Sequence, residues 1–202
     1  NAGQSNATGT NNVFLGTSAG QSNATGTDNT FIGMSAGQAS KANSNTFVGS
    51  NAGLANITGF QGSFFGAQAG YNNLSGLSDV FIGFQSGFNN QTGGNNTYLG
   101  VQSGFTNVSG GNNLYLGTGA GYSSTGSNNI ALGYQAALNL TTGSNNIILG
   151  YNIDFASSTR SNQLNIGNLI YGLNVDGSGQ TVSTGNIAIG TSTPFAKFAL
   201  QA

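Results

Sequence analysis

The pentapeptide Asn96-Thr97-Tyr98-Leu99-Gly100 returns with small changes every 16 or 17 residues along most of the chain. Its glycine is one of ten strand glycines, which are separated by 17, 16, 17, 17, 17, 17, 16, 17 and 17 residues. The strand glycines are Gly16, Gly33, Gly49, Gly66, Gly83, Gly100, Gly117, Gly133, Gly150 and Gly167. A fixed period of this length is typical of proteins that stack one small unit on the next.

Two further glycines mark most units. The second glycine follows a small residue, as in Ala69-Gly70, and the third closes a turn, as in Asn56-Ile57-Thr58-Gly59. Short β-branched and aromatic segments bounded by Gly and Asn indicate short strands, and the unit is too short for a helical hairpin. We therefore predict an all-β chain, a parallel β-solenoid (β-roll) of about ten 16–17-residue coils spaced about 4.8 Å apart.

The repeat covers residues 1–167, which we expect to form the solenoid domain. Residues 168–202 leave the period, since Gly190 follows Gly167 by 23 residues. Strand-like segments at 173–175 and 180–182 flank Asp176-Gly177-Ser178-Gly179, a sequence that predicts a β-hairpin. We expect this C-terminal part to be a separate, stalk-like β segment.

An asparagine column lies four residues before the strand glycines. Its members are Asn12, Asn29, Asn45, Gly62, Asp79, Asn96, Asn113, Asn129, Asn146 and Gln163. Stacked in register, these side chains are expected to hydrogen-bond from coil to coil. Asn also suits a turn by bonding locally, and the two interpretations are compatible.

Both faces of the predicted strands are apolar, although adjacent strand residues point in opposite directions. We assign the aliphatic column, directly before the strand glycines, to the core: Leu15, Ile32, Val48, Phe65, Ile82, Leu99, Leu116, Leu132, Leu149 and Ile166. The ring column, one residue earlier, is then expected outside: Phe14, Phe31, Phe47, Phe64, Phe81, Tyr98 and Tyr115. Seven exposed rings would exceed the apolar patch that a soluble monomer tolerates, so we predict that they form an interface between identical chains. The reverse assignment would leave the aliphatic column outside instead.

Charge is scarce, which excludes several classes of function. The 202 residues include three Lys and Arg, four Asp, and no His, Cys, Trp or Glu. Acid–base and nucleophilic catalysis need clustered groups of these types, so we expect no enzyme activity. Four scattered Asp residues cannot build a calcium site, and we expect no metal or cofactor. Three cations cannot bind a row of phosphates, and no stretch approaches 18 apolar residues, so neither nucleic acid binding nor membrane insertion is expected.

The unit that begins Asn129-Ile130-Ala131-Leu132-Gly133 and continues to Thr142-Gly143 resembles the tandem repeats of bacterial and phage tail-fibre-domain proteins. The strand motif is also similar to that of the head domains of trimeric autotransporter adhesins, which are parallel β-rolls. The resemblance covers residues 11–167, and 185–197 resembles the junction before the chaperone domain of tail-fibre proteins. It implies a homotrimer and a structural or adhesive shaft or head segment of an extracellular fibre, on a cell surface or a virion. The period of 17 and the Phe or Tyr in place of Ala depart from the adhesin heads.

Other functions stay open. The chain could be a self-assembling filament or sheath subunit without a receptor, or an extracellular fibre that binds a cell-surface glycan or protein. An ice-binding solenoid is a further alternative, based on one column of hydroxyl residues: Thr25, Thr58, Ser75, Thr92, Ser109, Thr125 and Thr142.

Two further columns have a functional and a structural interpretation, and we favour the structural one for both. The Asn-x-Ser/Thr triplets are either glycosylation acceptors or turns: Asn6, Asn23, Asn56, Asn73, Asn90, Asn107 and Asn139. A second apolar column is either a carbohydrate-binding strip or a packed corner: Leu54, Tyr71, Phe88, Phe105, Tyr122 and Leu138.

Overall fold

The computed structural model describes residues 1–200 and contains thirteen β-strands, which form one sheet in chain order. The first ten are β1 Val13–Leu15, β2 Thr30–Ile32, β3 Thr46–Val48, β4 Ser63–Phe65, β5 Val80–Ile82, β6 Thr97–Leu99, β7 Leu114–Leu116, β8 Ile130–Leu132, β9 Ile147–Leu149 and β10 Gln163–Ile166. Each pairs in parallel with the next, and residues 1–200 contain no helix. The chain is a parallel β-solenoid of about nine turns, as its repeat predicts.

The C-terminal part differs from the prediction. Strand β11 (Ile170–Leu173) pairs antiparallel with β10 and with β12 (Asn186–Ile189), and β12 pairs in parallel with β13 (Phe198–Leu200). The predicted hairpin strands at 173–175 and 180–182 do not form, since only residue 173 of these lies in a strand. The Asp176 carboxylate accepts the backbone N–H and the hydroxyl of Thr184 at 2.7 and 2.6 Å, which closes a longer loop.

The asparagine column forms the predicted ladder between coils. The backbone N–H of Asn29 donates to Oδ1 of Asn12, and that of Asn45 donates to Oδ1 of Asn29, both at 3.0 Å. The Asn side chains of the column also bind within their own coils, as when Nδ2 of Asn45 donates to the carbonyl of Gly59 at 2.9 Å. The column therefore joins successive coils and also fastens the third corner of each coil to its strand.

Aromatic rings fill the interior of the coil. The middle residue of each three-residue strand points inward, and the six rings from Phe31 to Tyr115 in the ring column are fully buried. Phe14, on the first coil, is partly buried and packs against the same cluster. Successive rings stack with their centroids between 4.5 and 5.4 Å apart. The core is one continuous stack of rings along the axis of the solenoid.

The assignment of the two strand faces from the sequence is therefore wrong. The aliphatic column points outward, and Ile82 and Leu99 are 37% and 43% exposed. The residues assigned to an interface between chains lie inside the coil instead: Phe14, Phe31, Phe47, Phe64, Phe81, Tyr98 and Tyr115. The physical reason is space, because the middle strand residue faces corners built from buried Ala and Gly, such as Ala69 and Gly70. In the first seven coils a ring fills the room that these small residues leave.

The second glycines leave space for the aromatic rings inside the coil. A Cβ on Gly70 would lie 2.5 Å from Cε2 of Phe64, and its φ of +58° is in the left-handed region. In one coil Ala131 replaces the ring, and there Ala137, with a φ of 57°, replaces the glycine. The two columns therefore change together, as expected if the glycine gives the ring its space.

We expect Gly70→Ala to lower the free energy of unfolding by roughly 1–3 kcal/mol beyond the cost of the backbone conformation, because the added methyl overpacks the core. Gly179→Ala is the matched control, since Gly179 has the same φ of +58° and no atom within 4 Å of its Cβ position. Denaturant unfolding of both variants measures the difference. Equal losses would show that the ring of Phe64 leaves room for a methyl group.

Candidate functional site

The outward face of the parallel strands is the main unpaired surface of the solenoid. In the aliphatic column Leu15, Phe65, Ile82, Leu99 and Leu116 are each between 37% and 63% exposed, and the column carries no charge. Apolar side chains in flat, regular rows have no partner within one chain. This face is the first candidate for a functional surface.

A second apolar row lies beside the aliphatic column, directly after the strand glycines. Its exposed apolar members are Met34, Phe84, Val101, Tyr134 and Tyr151. We call the aliphatic column and this row together the apolar stripe. About nine steps of about 4.8 Å, and a width of about three residues at about 3.3 Å, give a stripe of roughly 430 Å². The largest apolar patch on a typical soluble monomer is about 300–600 Å².

This second row was not predicted from the sequence. Its signal was available, because the residues directly after the strand glycines include Met34, Phe84 and Tyr134, whereas a solvent-facing column would be polar. When the ring column is taken as the outer face, these residues lie beside no other exposed apolar column. The corrected orientation places them beside the aliphatic column.

The two tyrosines of the ring column have hydrogen-bond partners inside the coil. The hydroxyl oxygen of Tyr98 accepts Nδ2 of Asn107 at 2.6 Å, and the hydroxyl of Tyr115 bonds Oγ of Ser124 at 2.7 Å. Burial raises the pKa of Tyr98 well above its usual value and that of Tyr115 to about 12. Both tyrosines are neutral members of the core at physiological pH.

The second apolar column is a packed corner. The rings of Tyr71, Phe88, Phe105 and Tyr122 stack with centroids 5.0, 5.2 and 5.0 Å apart and with planes within 12° of parallel. Their faces cover one another, so the inner rings have no free face on which a sugar could stack. This geometry supports the structural interpretation of the column.

The Asn-x-Ser/Thr triplets are turns in which most of the Asn side chains are buried. Nδ2 of Asn56 donates to the carbonyl of Gly59, and its Oδ1 accepts the N–H of the same glycine. Asn23, Asn73, Asn90 and Asn107 are buried in the same way, whereas Asn6 and Asn139 are exposed. The buried amides cannot carry a glycan in the folded chain.

Asp79 is the one carboxylate in the asparagine column. It is fully buried, its Oδ1 accepts the N–H of Asn96 at 2.8 Å, and its Oδ2 accepts Nδ2 of Asn90 at 3.2 Å. Burial raises the pKa of Asp79 to about 7, against the lowering effect of these hydrogen bonds. Near neutral pH this side chain therefore changes between a carboxylic acid and a carboxylate.

Within residues 1–200 no three His, Cys, Asp or Glu side chains are grouped so that they could hold a metal ion. In the same residues no helix has the length and apolar character needed to cross a membrane. No protein-family model, curated protein or solved structure matches the chain.

Proposed function

We propose that the chain is a rigid shaft or head segment of an extracellular homotrimeric fibre, in which three copies pack through the apolar stripe. The observation that carries this proposal is the stripe itself, a charge-free apolar surface that runs along the solenoid. The corrected interface consists of the aliphatic column and the row beside it, in place of the ring column. The role is structural and adhesive, without catalysis.

Identical chains are the partners that fit the stripe best. Rotation about an axis parallel to the solenoid brings the same coil of each copy to the same height, so the apolar stripe of one copy faces that of the next along its whole length. The stripe of roughly 430 Å² is about half of the area of about 800 Å² that each partner contributes to a standard interface, so side chains that border the stripe also take part in the proposed contact. Three copies about one axis agree with the trimer that the repeat resemblance implies.

A shaft needs stiffness along its axis, and the coil interior supports this. Every coil of the solenoid pairs with the next through its parallel strand, and most are also joined by the asparagine column and the ring stack. These contacts repeat at each of about nine turns, a length of about 43 Å. No disulfide contributes, since the chain has no cysteine.

The extracellular location is part of the proposal and rests on the resemblance to surface fibres and on composition. A surface of small polar residues with few charges suits a fibre on a cell surface or a virion. An adhesin and a virion fibre share these properties, and a cell-surface glycan or protein is the expected receptor.

Sedimentation equilibrium of the purified segment is expected to give a trimer at micromolar concentration. Replacing Ile82, Leu99 and Leu116 with Ser should dissociate it, because the change removes apolar area from the contact. The far-UV circular dichroism should keep its strand signal, because the ring stack of each coil is unchanged. The matched control replaces the exposed corner residues Thr58, Thr92 and Thr125 with Ala and should leave the trimer intact.

Other results would contradict the proposal in distinct ways. A parent segment that sediments as a monomer would show that the stripe has no partner of the same kind. A mass that keeps growing with concentration would favour the alternative of a self-assembling filament. Dissociation by the three Thr replacements would place the contact on the corner instead.

A further inference from the structure

One coil has a shortened corner. Between Gly33 and Gly49 the period is 16, and the corner Ser40-Lys41-Ala42 has one residue fewer than the four-residue corner 56–59 of the next coil. The other 16-residue coil shortens the same corner, at Ser124-Thr125-Gly126. Because coils stack in register, a missing residue leaves a notch beside the full-length corner that follows.

The notch at the first short coil is a cavity of about 520 Å³. Residues 41–44 form one wall, and Ile57, Thr58, Phe60 and Gln61 of the next coil form the other. A second cavity of about 230 Å³ shares Lys41 and Ile57 with it, so the two adjoin at these side chains. The volume is in the range of 300–1,000 Å³ typical of sites for small molecules.

The charge in this notch is positive and uncompensated. Lys41 is one of three basic residues in the chain, and within residues 1–200 its ammonium group has no hydrogen bond or ion pair. No acidic side chain lines either cavity. The nearest acid by coil position, Asp28, occupies in its own coil the place that Ser44 of the notch occupies in the next coil, and its Oδ1 accepts Nδ2 of Asn11 at 2.9 Å.

The side-chain amides of the notch have N–H groups that can donate hydrogen bonds to a ligand. Oδ1 of Asn43 already accepts the N–H of Thr27 at 2.8 Å, and Oε1 of Gln61 accepts the hydroxyl of Ser78 at 3.2 Å. The NH₂ groups of both amides are therefore left for a ligand. Phe60, which is 43% exposed, adds an apolar surface beside them.

We propose that this notch binds a carboxylated sugar, such as a uronic acid residue of a glycan. The ammonium group of Lys41 takes the carboxylate, the amides of Asn43 and Gln61 donate to ring oxygens and hydroxyls, and Phe60 covers an apolar face of the sugar. The site deepens the proposed function, since it gives the fibre a class of receptor.

The chemistry distinguishes this ligand from other anions. A bare phosphate would use the one cation and leave the apolar surface of Phe60 without a contact. A neutral sugar would leave the charge of Lys41 without a partner. A carboxylated sugar joins an anion, several acceptor oxygens and an apolar ring face in one molecule, which matches all the groups present.

The test uses D-glucuronate and a glucuronate-containing disaccharide as probes, with D-glucose and inorganic phosphate for comparison. Saturation-transfer NMR and calorimetric titration at low ionic strength measure binding to the whole chain. We expect millimolar affinity for the acidic sugars, and at least tenfold weaker binding of glucose and phosphate. Lys41→Gln and Phe60→Ser should each weaken glucuronate binding about tenfold, whereas the charge-matched control Arg160→Gln should not.

Absence of glucuronate binding at millimolar concentration, or unchanged binding in Lys41→Gln, would overturn the assignment. Phosphate that binds as tightly as glucuronate, with no effect of Phe60→Ser, would reduce the site to simple ion pairing and also overturn it. Sedimentation of the same samples separates the two proposals. A chain that forms a trimer but does not bind the sugar contradicts this site alone. A chain that binds the sugar as a monomer contradicts the trimer alone.

Discussion

Replacing Phe64 with Ala should lower the free energy of unfolding by about 3–5 kcal/mol, the usual cost of deleting a ring from a core. Phe64 is 0% exposed, and its ring lies between those of Phe47 and Phe81, with centroids 4.5 and 4.8 Å away. Removal of this ring therefore uncovers one face of each of the two neighbouring rings and opens a cavity in a continuous column.

The neighbouring Phe65 provides a control of the same residue type in the same strand. It points outward and is 40% exposed. Phe65→Ala removes the same atoms but opens no internal cavity, so we expect a loss of about 1 kcal/mol in the unassociated chain. Denaturant unfolding at low protein concentration should therefore separate the two variants clearly.

A Phe65→Ala variant that loses as much stability as Phe64→Ala at low protein concentration would show that the two faces are equally buried within one chain. A larger loss for Phe65→Ala would reverse the orientation of the strands. The pair thus tests directly which column is the core, with no change in backbone or composition between the variants.

The repeat could be read from the sequence because it depends on local chemistry. A period of 16 or 17, strand-forming segments and bends at Gly are sufficient to predict stacked parallel strands. The asparagine column followed from the same register, because residues one period apart must lie beside one another. These features need no knowledge of how the coil is closed.

The direction of the strand faces could not be obtained from hydrophobicity, since both columns are apolar. The informative signal was the joint change at Ala131 and Ala137, where the ring and the second glycine are lost together. That pair indicates that ring and glycine touch, which places the ring on the inside. The next coil carries the same signal, because Ile148 and Asp154 occupy the two equivalent positions.

The notch and the C-terminal loop depend on contacts in the folded chain that could not be predicted from the sequence. The short period between Gly33 and Gly49 was visible, but the position of the missing residue and its effect on the next corner required the stacked coils. The turn sequence near Asp176 was predicted to close a short hairpin, which does not form. The side chain of Asp176 bonds to Thr184, and a longer loop forms.

The second large effect that we expect concerns Asp79, whose replacement with Asn should stabilise the chain at pH 8. Other members of the asparagine column donate to the third glycine of their turn, as Asn96 does to the carbonyl of Gly110 at 3.0 Å. The ionised form of Asp79 has no hydrogen to donate and keeps a charge in the core. Asn restores the donor and removes the charge.

The free energy of unfolding is expected to fall as the pH rises through the pKa of Asp79. Because burial raises the pKa of Asp79 from 3.8 in the unfolded chain to about 7, the folded state holds this proton more tightly. Its stabilising contribution is complete below pH 3.8 and is lost as the pH rises to about 7. At about 1.36 kcal/mol per pKa unit, the whole loss is about 4 kcal/mol at most.

We therefore expect the parent chain to lose stability between pH 4 and pH 7 and the Asp79→Asn variant to lose much less over the same range. Asp28→Asn is the control, because Asp28 is an exposed carboxylate on an equivalent part of the coil. Denaturant midpoints at several pH values give the comparison. Parallel pH profiles for the parent and Asp79→Asn would mean that the pKa of Asp79 is the same in the folded and the unfolded chain, as for a solvated carboxylate.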